Sequence, residues 1–145
     1  MSNYTELFSE THAPLAAFGA TAATTEQNSG YVNVAKYHRV VVLFYALQTT
    51  TAVDVDLEIT TDGVSAGLYT LKSITALDSE GDDKLIAIEL RTDELGKPSG
   101  ASSENYDWIN VEVTPTDACA FTCLVFGFVP RYAEVDQTGW EEVVE

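Results

Sequence analysis

The sequence predicts an all-β protein: a single antiparallel β-sandwich of jelly-roll-like form, with an extended N-terminal arm and an acidic C-terminal tail. Three observations predict it. Residues 39–47 are apolar at nearly every position, as in a strand covered on both faces. Residues 53–59 alternate strictly, with Val53, Val55, Leu57 and Ile59 on one side and Asp54, Asp56 and Glu58 on the other, the pattern of a strand with one buried and one wet face. Runs of these two kinds recur about seven times with short polar turns between them and no sustained helical period.

The elements follow in chain order. Residues 1–30 form the arm, rich in Ala, Thr and Ser, with apolar anchors at Leu7, Phe8, Leu15 and Phe18. Alanine favours helix over 15–23, whereas Gly19 and the threonines weaken it, so a helix and a short extended segment stand equally. The sandwich domain spans 31–132. A short strand at 31–34 leads into 39–47, and 53–59 reads as its neighbour, joined through the polar residues 48–51. After the Asp62-Gly63 turn signal comes a strand at 69–77, then the acidic turn 78–83, then 85–91, where Ile86, Ile88 and Leu90 form one face. Residues 92–95 suit a single helical turn, and 96–103 form a loop without packing residues. Residues 108–114 alternate again and stop at Pro115. The last strand, 118–129, is apolar on both faces and belongs in the centre of the fold, beside the 39–47 strand or opposite it. Residues 133–145 are the acidic tail.

Charge and length bound the function. At 145 residues the chain makes one domain with a core large enough to need no staple. Seven basic residues against twenty-three acidic ones give a net charge of −16, which sets strong repulsion against nucleic acid and anionic membranes. No cleavable leader and no bilayer-length apolar run is read in the chain, so the sequon at Asn3 and Thr5 has no route to use. Cys119 and Cys123, four apart in one strand, have Cα atoms roughly 13 Å apart, beyond the reach of a disulfide. They read as reduced core thiols.

The chemistry-bearing motifs are weak. Residues 63–67, GVSAG, match a nucleophile-elbow pattern around Ser65, but His12 and His38 both precede it and no strand-to-helix turn is predicted there. Asp54, Asp56 and Glu58, and the turn Asp78, Glu80, Asp82 and Asp83, hold carboxylates without the spacing of a calcium loop, so they read as a solvated face and a polar turn. His38 reads as a strand-end histidine. The sequence therefore predicts no enzyme, no cofactor and no metal site. Trp108, on an outward phase, and Trp140, in the tail, are candidate contact residues.

The segments GYVNVAKYHRVVVLFYAL, ITAL, IELRTDEL and FGFVPRYAEV together resemble a family of small proteins from the structural modules of tailed bacteriophages and prophages. The similarity runs from Gly30 to Val135 and is carried by Tyr37-His38-Arg39, by residues 91–95 and by Arg131-Tyr132. The acidic tail here is longer than in that pattern. The resemblance implies a virion component on the outer capsid surface, made in the host cytoplasm, that decorates and cements the shell. Its implied partners are the major capsid protein and copies of itself, as a trimer or another homo-oligomer, with no nucleic acid and no membrane. Leu7, Phe8, Leu15, Phe18, Trp108 and Trp140 are the expected contacts, and removal of residues 1–20 is expected to leave a folded domain. A neck, tail or fibre component is the alternative, and a calcium-dependent carbohydrate-binding module is the alternative from a different class.

Overall fold

The computed structural model describes residues 8–64, 68–95 and 106–130. Among these residues a helical turn, α1 (Phe8–Thr11), precedes nine strands: β1 (His12–Ala23), β2 (Gln27–Asn28), β3 (Val32–Asn33), β4 (Tyr37–Thr49), β5 (Val53–Thr60), β6 (Tyr69–Leu77), β7 (Leu85–Arg91), β8 (Trp108–Pro115) and β9 (Cys119–Pro130). Two short 3-10 turns, Ser79–Gly81 and Thr92–Leu95, flank β7. The strands form two sheets, ordered β1-β9-β4-β7 and β2-β8-β5-β6, with β3 continuing β2 along β8. Every pairing is antiparallel.

This order is a jelly roll. The first strand pairs with the last, β2 and β3 with β8, β4 with β7, and β5 with β6. A chain folded back once at the β5–β6 hairpin and then wrapped gives these four nested pairs and divides them between two sheets. The expected all-β sandwich is the observed fold, and β9 lies beside β4 in register from Tyr37↔Pro130 to Thr49↔Cys119.

Two details differ from the sequence reading, and a third settles what it left open. The 39–47 and 53–59 runs are consecutive strands in opposite sheets, because residues 50–52 cross the sandwich rather than turn within one sheet. The 15–23 segment is strand: its small side chains let β1 lie close along β9 from His12↔Phe128 to Ala23↔Cys119. A Cβ on Gly19 would come within 2.5 Å of the Phe121 carbonyl oxygen. Since β1 supplies the outer hydrogen-bonding partner of β9, removal of residues 1–20 would expose most of that edge. Finally, β4 is covered on one face only. Val40, Val42, Phe44 and Ala46 are buried, whereas Val41, Leu43 and Tyr45 are partly exposed and Leu47 is half exposed.

The core lies between the sheets. Val40, Val42 and Phe44 of β4 and Phe121, Cys123 and Val125 of β9 face Val53, Val55, Leu57 and Ile59 of β5 and Ile109, Val111 and Val113 of β8. Phe121 stacks on Phe44 at 5.5 Å between ring centroids and meets Phe18 edge-on at 5.7 Å. Several buried polar side chains tie separate segments together. Asp82 accepts from both the amide and the hydroxyl of Thr49, at 2.9 and 2.8 Å, and the Thr92 hydroxyl donates to the Tyr37 carbonyl at 2.8 Å. Lys72 of β6 donates to the Glu89 carbonyl of β7, linking the two sheets along one open side.

Candidate interaction surface

The two outer faces of the sandwich have opposite characters, and both follow from strand phase. On the second sheet the outward residues of β5 and β8 are Asp54, Asp56, Glu58, Asn110 and Glu112. Donors from neighbouring segments hold these carboxylates: the Ala76 amide on Asp54 at 2.6 Å, the Ser73 hydroxyl on Asp56, and the Asn110 side-chain amide on Glu58 at 2.9 Å. The face is less wet than its alternation implied. Glu58 is only 7% exposed, because residues Asn28, Tyr31 and Leu68 rise around it. Burial pushes the Glu58 carboxyl above the ordinary range, and the nearby charges of Asp56 and Glu26 push the same way against the Asn110 hydrogen bond. Glu112 is raised likewise, first by burial and then by Glu58.

On the first sheet the outward rows are mainly apolar between a pair of arginines at one end and Thr122 at the other, with Glu89 as the one acid among them. Leu43 pairs with Ala87 and Leu124, Tyr45 with Leu85 and Thr122, and Val41 with Glu89 and Phe126. Leu47 is 50% exposed and Leu85 65% exposed. At the Arg39 end, α1 folds over this face. Phe8 stacks on His12 at 4.1 Å and meets Phe126 edge-on at 5.4 Å, while His12 stacks on Phe128 at 5.1 Å. Phe8 itself remains 52% exposed, a raised aromatic knob. At the opposite end of β1 the small residues Gly19, Ala20, Thr21 and Ala22, with Leu47 and Thr122, line an open groove of about 580 Å³.

Charge also grades along this face. Arg39 and Arg91 lie directly opposite each other at one end, with Asp93 paired to Arg91 at 2.7 Å. At the other end the Tyr45 hydroxyl donates to Asp83 at 3.1 Å, which raises the Tyr45 pKa and places that carboxylate beside the outward row. The other acids of the turn diverge: Asp78 caps the 3-10 turn through the Glu80 amide, and Asp82 turns inward to Thr49. Among the described residues no group of three or more His, Cys, Asp or Glu side chains is placed to hold a metal ion.

The contact residues expected from sequence divide as follows. Phe8 stands on the outer face of the first sheet. Leu15 and Phe18 pack against the core from β1. Trp108 is half-buried on the outer face of the second sheet, close enough to the 62–63 turn that a Cβ on Gly63 would meet its ring at 2.9 Å. Leu7 and Trp140 lie outside the described residues, as do Ser65, the 96–103 loop and the tail. The structure adds Leu43, Tyr45, Leu47 and Leu124, whose signal in the sequence was the two-phase apolarity of β4 and β9, and with them Leu85 and Ala87 on the outward phase of β7. Both cysteines sit on the buried face of β9, and burial pushes the Cys123 thiol up to about 12.

No protein-family model matches the chain and no curated protein matches it. Among solved structures it is similar to one of Desmodium yellow mottle tymovirus, at 12% identity and a TM-score of 0.40, over 84% of this chain and 88% of that one. It is also similar to a chain of the infectious bursal disease virus Gx strain, at 13% identity and a TM-score of 0.37 over 83% of this chain. The VP2 subviral particle of infectious bursal disease virus matches at 13% identity and a TM-score of 0.30 over 82% of this chain. The chain spans 31% and 40% of these last two chains.

Proposed function

We propose that the protein is a virion structural component that decorates and stabilises a tailed-phage capsid by bridging neighbouring shell subunits. The observation that carries this reading is the separation of the two outer faces. An apolar sheet face, graded in charge along its length, is an adhesive surface of the kind soluble monomers rarely present. The carboxylate-bearing face on the other side keeps the assembled particle soluble. Between the faces, buried hydroxyls, amides and carboxylates cross-link separate segments into a stiff block, which suits a part that bears load. The sequence resemblance to phage structural modules supports the same role, with the shell protein and further copies of this chain as partners. Bound copies stabilise the shell by mass action, since each must be released before the subunits it bridges can separate.

The test is the stoichiometry of this chain in purified particles, measured by quantitative mass spectrometry against the most abundant shell protein. Decoration predicts amounts comparable to the shell protein. A few copies per particle would place it in the neck, tail or fibres, and its absence from particles would sink the virion reading.

A further inference from the structure

The outer face of the first sheet is complementary to itself, and we propose that a second copy of this chain docks there in a two-fold, face-to-face, antiparallel dimer. The inference rests on the virion reading and names the surface through which copies meet, giving to a second copy the adhesive face that would otherwise be free for the shell protein. It commits to an axis that lies in the plane between the two sheets and runs across the strands, over Val41 and Leu43. That operation lays β4 on its counterpart in the opposite direction and β7 likewise.

Three features match under this one operation. First, charge: Arg39 and Tyr45 are both outward on β4, six residues or about 20 Å apart, and Asp83 is hydrogen-bonded to Tyr45. Reversal brings Arg39 of each copy over Tyr45 and Asp83 of the other. Both ends of the interface gain an opposite-charge contact, with the guanidinium also set against an aromatic ring. Second, the rows of β4 and β7: Leu43 meets Val41 and Leu85 meets the aliphatic stem of Arg91, hydrocarbon on hydrocarbon, while the Glu89 side chain of each copy lies over Ala87 of the other on the outer strand. Third, shape: the Phe8 knob rises over Phe126 at the Arg39 end of β9, whereas the groove lined by Gly19, Thr21 and Thr122 opens at the Leu47 end. Reversal along the strands carries the knob of one copy to the groove of the other. The acidic faces of both second sheets point away from the contact, which limits the repulsion expected between two chains of charge −16.

Sedimentation equilibrium of the full chain tests this, with thermal melts to verify that each variant is folded. The expected result is twice the 15.7 kDa chain mass at micromolar concentration. Thr122→Trp fills the groove and is expected to weaken association by about tenfold or more. Arg39→Glu and Asp83→Arg each weaken it, and the double variant restores it. A chain that stays monomeric to about 100 μM, about a hundredfold above the expected micromolar range, overturns the dimer. A dimer indifferent to Thr122→Trp and to both charge reversals lies on another surface and overturns the assignment, as does failure of the double variant to recover. A monomer abundant in particles would leave decoration standing and give this face to the shell protein; a dimer absent from particles would do the reverse.

Discussion

Glu58 shows what a single strand position does when its surroundings close over it. The alternation of residues 53–59 makes its outward direction legible from sequence, but its burial comes from Asn28, Tyr31 and Leu68, which are remote in the chain, and no local pattern announces them. The carboxyl is held above its ordinary pKa by that burial, so folding favours its protonated form. The sign follows: the stability from this group is fully present below the unfolded carboxylate pKa of about 4.3 and is lost as pH rises through the higher folded value. Glu58→Gln keeps an oxygen for the Asn110 amide and removes the charge. The variant is expected to melt a few degrees above the parent at pH 7, with the gap closing on acidification toward pH 4. A gap that widens in acid would contradict the assignment. The difference between parent and variant reports Glu58 together with its coupling to Glu26, Asp56 and Glu112, all of which repel its charge and so act in the same direction.

Strand 85–91 was legible because Ile88 and Leu90 are buried and the residues on either side of them are exposed, strand 108–114 because Ile109, Val111 and Val113 alternate with polar residues, and the expected helical turn at 92–95 is the 3-10 turn Thr92–Leu95. Partnership was less legible. The 39–47 run reads as doubly covered, yet its second apolar phase faces out and forms the centre of the proposed contact, and hydrophobicity alone does not tell a packed face from one awaiting a partner. The acidic turn likewise reads as solvated, whereas Asp82 is a clamp: one carboxylate oxygen holds the amide and hydroxyl of Thr49, joining the end of β4 to the segment before β7. Asp82→Ala leaves a nearly buried threonine hydroxyl and amide without that acceptor. A loss of about 1–3 kcal/mol is expected, measured by urea denaturation with an unchanged m-value. A loss within about 0.5 kcal/mol, the range of ordinary surface substitutions, would show that the clamp contributes nothing of its own.

At the scale of the molecule, the two-sheet architecture was readable from the number and patterning of the runs, but the nesting of the strands was not. That nesting puts β1 against β9, so residues near the start of the chain complete the sheet begun at its end. Removal of residues 1–20 is therefore expected to abolish the cooperative thermal transition rather than merely weaken association; a sharp native-like melt would show that β9 can close the sheet unaided. The same nesting governs how the fold is reached. Among the described residues only β5 and β6 form a local hairpin, and the other nested pairs join segments progressively farther apart, up to the two ends of the sandwich. Such a chain has high contact order and folds on the millisecond-to-second scale or more slowly. On the ribosome β1 has no partner until β9 emerges, and β4, which β9 joins to β1, keeps one edge unpaired until then. The chain most exposed to aggregation is the one not yet finished, and a surface built to adhere in the completed particle must be kept from adhering before then.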